Sequence, residues 1–131
     1  MNTATAHSDS LRVLLVEDSP RIADRMRDLL ESEAGATVVV IADDEASAIK
    51  AAREESVDVM ILDLQLRRGT GFGVLAALGN ARPATIIMTN YALPQYRTKA
   101  EKFGVEFFLD KSVDFERLPA ILATIADRRG S

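Results

Sequence analysis

Five side chains have the types and positions for one piece of chemistry. Glu17 and Asp18 follow the apolar run from Leu11 to Val16, and Asp63 follows Val57 to Leu62. Thr89 closes the run from Thr85 to Met88, and Lys111 stands just beyond Val105 to Leu109. Three carboxylates brought together repel one another, and an oxygen-seeking cation relieves them. Mg2+ suits the task, because it takes one or two carboxylates, keeps several waters and accepts a phosphate oxygen as ligand. Lys111 adds a fixed positive charge and Thr89 a small hydroxyl donor. A carboxylate nucleophile with metal, ammonium and hydroxyl is a set for moving a phosphoryl group.

Each residue alone has a plainer reading. Asp63 would serve as a helix cap or a solvated strand end. Glu17-Asp18 would favour the positive end of the helix that follows. Thr89 is an ordinary β-branched strand residue, and Lys111 an ordinary surface lysine. Their shared place, each at the C-terminal end of an apolar run, sets them apart as a group.

The elements that must position them alternate along the chain. Leu11 to Val16, Thr37 to Ala42, Val57 to Leu62, Thr85 to Met88 and Val105 to Leu109 read as short strands, several of them apolar enough to be buried on both faces. Between them lie helical patterns. Ser19-Pro20 is an N-cap with proline in the first turn, opening an amphipathic helix to about Ala34 with Ile22, Met26, Leu29 and Leu30 on one face. Asp43-Asp44-Glu45 opens an alanine-rich second helix to about Glu55, and the acid pair is read as capping. A third helix carries Phe72, Leu75 and Leu78, and a fourth spans Pro94 to Lys102. A last one carries Phe115, Leu118, Ile121, Leu122 and Ile125. Five β-α units predict an α/β fold with a parallel sheet covered on both faces. Right-handed crossovers favour a flavodoxin-like, doubly wound (βα)5 sheet of order 2-1-3-4-5. In that order strands one and three flank the switch point, so Glu17, Asp18 and Asp63 converge on the ligand-binding edge.

Composition bounds the rest. The 131 residues make one domain, 47% hydrophobic and 27% charged, with no cysteine and a net charge of −4. Disulfides, thiolate metal sites and cysteine nucleophiles are excluded, and a reducing, cytoplasmic setting is expected. The arginine pairs Arg67-Arg68 and Arg128-Arg129 stand in no basic run, so no direct nucleic-acid contact is expected. No apolar stretch approaches the ~20 residues that cross a bilayer. Residues 1–10 are expected to form a disordered leader and 11–128 the domain, with no output domain after it. His7 is read as a bystander in the leader. Gly71-x-Gly73-x-x-Ala76 nominally matches a dinucleotide fingerprint. It lies well past the strand, with no acid near twenty residues on, and is read as loop and helix.

The stretches LLVEDSP (Leu14 to Pro20), ILDLQLRRGTG (Ile61 to Gly71), IIMTNYA (Ile86 to Ala92) and FFLDKS (Phe107 to Ser112) fall in the order and spacing of a known family. The sequence resembles the receiver domains of bacterial response regulators over roughly residues 11–128. The resemblance implies that Asp63 takes a phosphoryl group from a phosphohistidine on a sensor histidine kinase or a histidine phosphotransfer protein. It implies a signalling switch rather than an enzyme. Asp18 and, partly through water, Glu17 would hold Mg2+ with Asp63 and the backbone carbonyl of Gln65. Lys111 would pair with Asp63 and then with the phosphoryl oxygens, and Thr89 would swing in to bond them. Phe108 would be the switch aromatic, moving inward with Thr89. The fourth helix, fifth strand and fifth helix would form the face that meets an unknown downstream protein or a second copy of the chain.

The sequence departs from the family pattern at several points. Asn90 replaces a small residue after the threonine, Ser112 replaces the proline that commonly follows the lysine, and Arg67 stands where proline is frequent. Tyr91 and Gln65 occupy positions that tune dephosphorylation in the family. Three rival readings remain. A haloacid-dehalogenase-like phosphatase would need a second aspartate where Gln65 stands. An interaction module would keep the pocket without using it. A third reading makes the chain the receiver part of a longer DNA-binding regulator.

Overall fold

The computed structural model describes residues 10–130; His7 and most of the expected leader lie outside them. The elements follow the expected alternation. They are β1 (Arg12–Val16), α1 (Pro20–Glu33), β2 (Thr37–Ala42), α2 (Glu45–Glu54), β3 (Val59–Leu62) and α3 (Gly71–Leu78), then β4 (Ala84–Thr89), α4 (Pro94–Lys102), β5 (Phe107–Asp110) and α5 (Leu118–Gly130). All five strands pair in parallel in the order β2-β1-β3-β4-β5. No described helix is long and apolar enough to cross a membrane.

Period-two alternation divides the core between the two faces of the sheet. Val13, Leu15, Ile61, Ile86, Met88 and Leu109 pack with Met26 and Leu30 of α1 and with Leu118 and Leu122 of α5. Their neighbours Leu14, Val16, Met60, Leu62 and Ile87 face the other way, onto Ala48 of α2, Val74 and Leu75 of α3 and Ala100 of α4. Burying each such side chain stabilises the fold by about 1.5–3 kcal/mol before entropy is counted. This two-sided burial explains why these strands read as unbroken apolar runs.

Caps close the elements as the sequence suggests. Ser19 Oγ accepts the Ile22 amide at 3.3 Å at the start of α1, and Asp44 Oδ1 accepts the Ser47 amide at 2.8 Å at the start of α2. Two strands start later than their apolar runs. Asp58 exchanges bonds with the Arg12 backbone, its carboxylate accepting the Arg12 amide at 2.9 Å, so ladder pairing of β3 begins at Val59. At the end of α4, Gly104 turns with φ +81° and the Val105 amide returns to Ala100 O. Val105 thus belongs to the helix exit, and β5 starts at Phe107. Phe115 lies in a 3-10 turn ahead of α5.

Candidate functional site

Register brings the acidic residues together. Val16 pairs with Leu62, and the Asp63 amide donates to Val16 O at 3.1 Å, so the residues that end β1 and β3 lie side by side. Thr89 pairs with Asp110, and the Lys111 amide donates to Thr89 O at 2.9 Å, which delivers the lysine to the same edge. Glu17, Asp18, Asp63, Gln65 and Lys111 line one cavity of about 220 Å³. Ser19, Ile22, Asn90 and Tyr91 complete its walls.

Lys111 is the electrostatic centre. Its Nζ donates to Asp63 Oδ2 at 2.6 Å and lies 2.5 Å from Glu17 Oε1. All three side chains are almost fully buried, at 6%, 7% and 2% exposure. Burial pushes the Glu17 carboxyl above its ordinary range, and the neighbouring Lys111 only partly opposes this. Burial alone would lower the Lys111 ammonium. Its hydrogen bond to Asp63 and the close negative charge of Glu17 outweigh that, so it stays charged more firmly than an exposed lysine. Asp18 is exposed at the rim.

The donor set suits a hard cation. Glu17, Asp18 and Asp63 each offer an oxygen, and these lie within 4.8 Å of one another. Glu17 Oε1 is buried yet receives no hydrogen bond; its approach to Lys111 is a charge contact outside hydrogen-bond geometry. A buried acceptor without a donor is costly, and a divalent ion among oxygen ligands would relieve both that orphan atom and the carboxylate repulsion.

Neither Thr89 nor Phe108 lines this cavity. Thr89 is fully buried, and its Oγ1 accepts the Tyr91 amide at 3.0 Å. Phe108 is buried against the α2-α3-α4 side of the core, with the Arg97 guanidinium 4.6 Å over its ring. In this structure the aromatic is already inward while the threonine hydroxyl engages its own loop.

The departures from the family pattern have structural replacements. The Lys111–Ser112 bond is trans, as are all peptide bonds among the described residues. Ser112 donates its amide and its hydroxyl to Asp110 Oδ1 at 2.8 and 2.6 Å, and the Asp110 amide donates to Asp114 Oδ2 at 2.9 Å. These bonds constrain the loop where a proline ring commonly would. Arg67 donates to both carboxylate oxygens of Asp43. Sequence reasoning missed that bond, the second partner of Lys111 and the walls Ser19 and Ile22. None leaves a pattern, since each depends on which loops the fold brings together.

The family model for the response regulator receiver domain matches residues 13–123. The chain belongs to this family. Among solved structures it is similar to a LuxR-family two-component response regulator from Aurantimonas sp. SI85-9A1, with TM-score 0.78, 27% identity, and 93% of this chain and 99% of that one covered. A CheY-like receiver domain protein from Methanospirillum hungatei JF-1 shares the fold, with TM-score 0.82 at 22% identity over 92% of this chain and 97% of that one. The nitrate/nitrite response regulator protein NarP of Escherichia coli is 40% identical over 67 residues, which are 51% of this chain and 31% of that protein. This receiver domain spans about half or less of the curated relatives it matches. As a receiver domain it is a signalling component of two-component systems.

Proposed function

We propose that this receiver domain accepts a phosphoryl group on Asp63 from a phosphohistidine and uses the resulting acyl phosphate as a switch. The observation that carries the reading is Asp63 itself: a buried carboxylate lining the cavity, tied to a buried lysine and flanked by two further acids. An Asp63 carboxylate oxygen attacks phosphorus, a P–O bond forms, and the P–N bond to the donor imidazole breaks. Lys111 stays within reach of the phosphoryl oxygens and offsets their charge. Glu17, Asp18, Asp63 and the Gln65 carbonyl would hold Mg2+, which when bound neutralises charge on the transferring group.

Thr89 then exchanges its position beside the Tyr91 amide for a bond to a phosphoryl oxygen. A hydroxyl both donates and accepts, so Thr89 has a proton to give even while it accepts from Tyr91. The shift biases Phe108 and the face formed by α4, β5 and α5 between two arrangements. That face meets the downstream protein or a second copy of the domain. The donor is a sensor histidine kinase or a histidine phosphotransfer protein, in the cytoplasm. The acidic balance and the lack of a basic run favour a protein partner for these residues over DNA.

Incubation with acetyl phosphate and Mg2+, followed by intact mass, tests the reading. One phosphoryl adduct that EDTA suppresses supports it. No adduct on folded, Mg2+-bound protein would transfer the reading to a docking module that keeps the pocket without the chemistry, with Asn90 in the cavity wall as the obstruction.

A further inference from the structure

The loop from Leu64 to Gly71 carries Gln65, and it is not held by β3 and α3 alone. Gln65 forms an isolated antiparallel bridge with Thr70, and the Gly71 amide returns to Leu64 O at 3.0 Å, so the loop closes on itself. The closed loop is fastened at its outer end to the start of α2. Glu45 Oε1 accepts the Thr70 amide at 3.0 Å, and the Glu45 amide donates to Arg68 O at 2.9 Å. Arg67 adds its amide to Asp43 O at 3.1 Å and its guanidinium to the Asp43 carboxylate.

Packing reinforces the fastening. A Cβ at Gly69 or at Gly73 would collide with the Glu45 side chain, and Gly69 holds φ +86°. The two glycines therefore make the space in which the Glu45 carboxylate reaches Thr70. At its inner end the same loop touches the reacting group, since the Gln65 amide donates to Asp63 Oδ1 at 3.3 Å. Glu45 thus connects through Thr70 and Gln65 to Asp63, while Lys111 holds the other Asp63 oxygen.

We propose that Glu45 is a positioning residue for the phosphorylation site, fixing through Thr70 the Gln65 backbone that meets Asp63 and the bound cation. The inference rests on the phosphoacceptor reading above. Outer-shell partners of metal ligands typically govern about 10–100-fold in affinity, and Glu45 acts through one further link, so its effect sits at the low end of that range.

The test compares Glu45→Ala, Glu45→Gln and Gly73→Ala with the unaltered protein. Mg2+ affinity is measured by calorimetry without phosphodonor, and amide exchange is followed at Gln65 and Thr70. Glu45→Ala weakens Mg2+ binding roughly tenfold and speeds exchange at Thr70 with the rest of the sheet protected. Glu45→Gln keeps an acceptor oxygen and recovers most of the affinity. Gly73→Ala places a methyl group against the carboxylate and weakens binding although alanine is the better helix former. It supplies the result if Glu45→Ala does not fold. Affinity and Thr70 exchange unchanged in Glu45→Ala, or in Gly73→Ala where Glu45→Ala does not fold, overturn the positioning role and leave the phosphoacceptor reading intact. Failure of the unaltered protein to bind Mg2+ and to form an adduct overturns both.

Discussion

Lys111 Nζ bridges two buried carboxylates, donating to Asp63 at 2.6 Å and contacting Glu17 at 2.5 Å. The lysine therefore has a structural duty in the resting domain besides the part in phosphoryl transfer proposed for it. Lys111→Ala leaves like charges close together with no counter-charge, and removing one member of a buried pair costs about 3 kcal/mol or more. Urea denaturation without metal is expected to show that loss, and Mg2+ to restore a larger share of stability to the variant than to the parent. Equal stability of the two in EDTA would contradict the bridging role.

Arg97 both stacks 4.6 Å over the Phe108 ring and donates to Phe108 O at 3.3 Å. A guanidinium over an aromatic face is worth about 0.5–1 kcal/mol at a partly exposed site. In a double-mutant cycle of Arg97→Ala with Phe108→Leu, a coupling of about that size is expected from chemical denaturation. A coupling near zero would mean that the two residues are merely adjacent.

Ser112 holds the Asp110 carboxyl below its usual range, through its hydroxyl first and its amide second. A carboxyl depressed in the folded state adds stability above its unfolded value, about 3.9, and loses it as pH falls through the folded value. Ser112→Ala removes the hydroxyl. The stability gap between parent and variant should be constant above about pH 5 and close as pH falls below about 4. A gap that persists unchanged in acid would show that the serine acts through packing alone.

Much of this domain is legible in sequence because its strands are buried on both sides. Runs such as Leu14 to Val16 and Met60 to Leu62 announce both strand and parallel sheet, and the polar residues that end them mark the ligand edge. Boundaries were less legible where a side chain replaces a ladder bond, as Asp58 does ahead of β3, or where a helix exit borrows an apolar residue, as α4 does with Val105. The contact of Lys111 with Glu17 and the tie between Glu45 and Thr70 were not legible. Both join loops far apart in the chain through side chains that, read singly, are ordinary surface charges. Phe108 illustrates a different limit, since sequence picks out the aromatic but not that it is buried beneath the Arg97 guanidinium.

Thr89→Ala separates chemistry from switching. The substitution takes away the hydroxyl that accepts the Tyr91 amide and that is proposed to bond the phosphoryl group after transfer, while Asp63, Lys111 and the two neighbouring acids stay in place. Adduct formation is expected to stay within about tenfold of the parent, well short of the loss of a catalytic group. The phosphorylation-dependent change in amide exchange across α4 and β5 is expected to vanish. Undiminished exchange differences would remove Thr89 from the switch.

Asp63 is the residue proposed to carry the phosphoryl group, and chemical trapping locates that group. An acyl phosphate is reduced by borohydride to an alcohol, which converts the labelled aspartate to homoserine. After treatment with acetyl phosphate, Mg2+ and borohydride, peptide mass spectrometry should find homoserine at position 63 and none in Asp63→Asn. Homoserine at position 18, or trapping at the parental level in Asp63→Asn, would take the phosphoryl group away from Asp63.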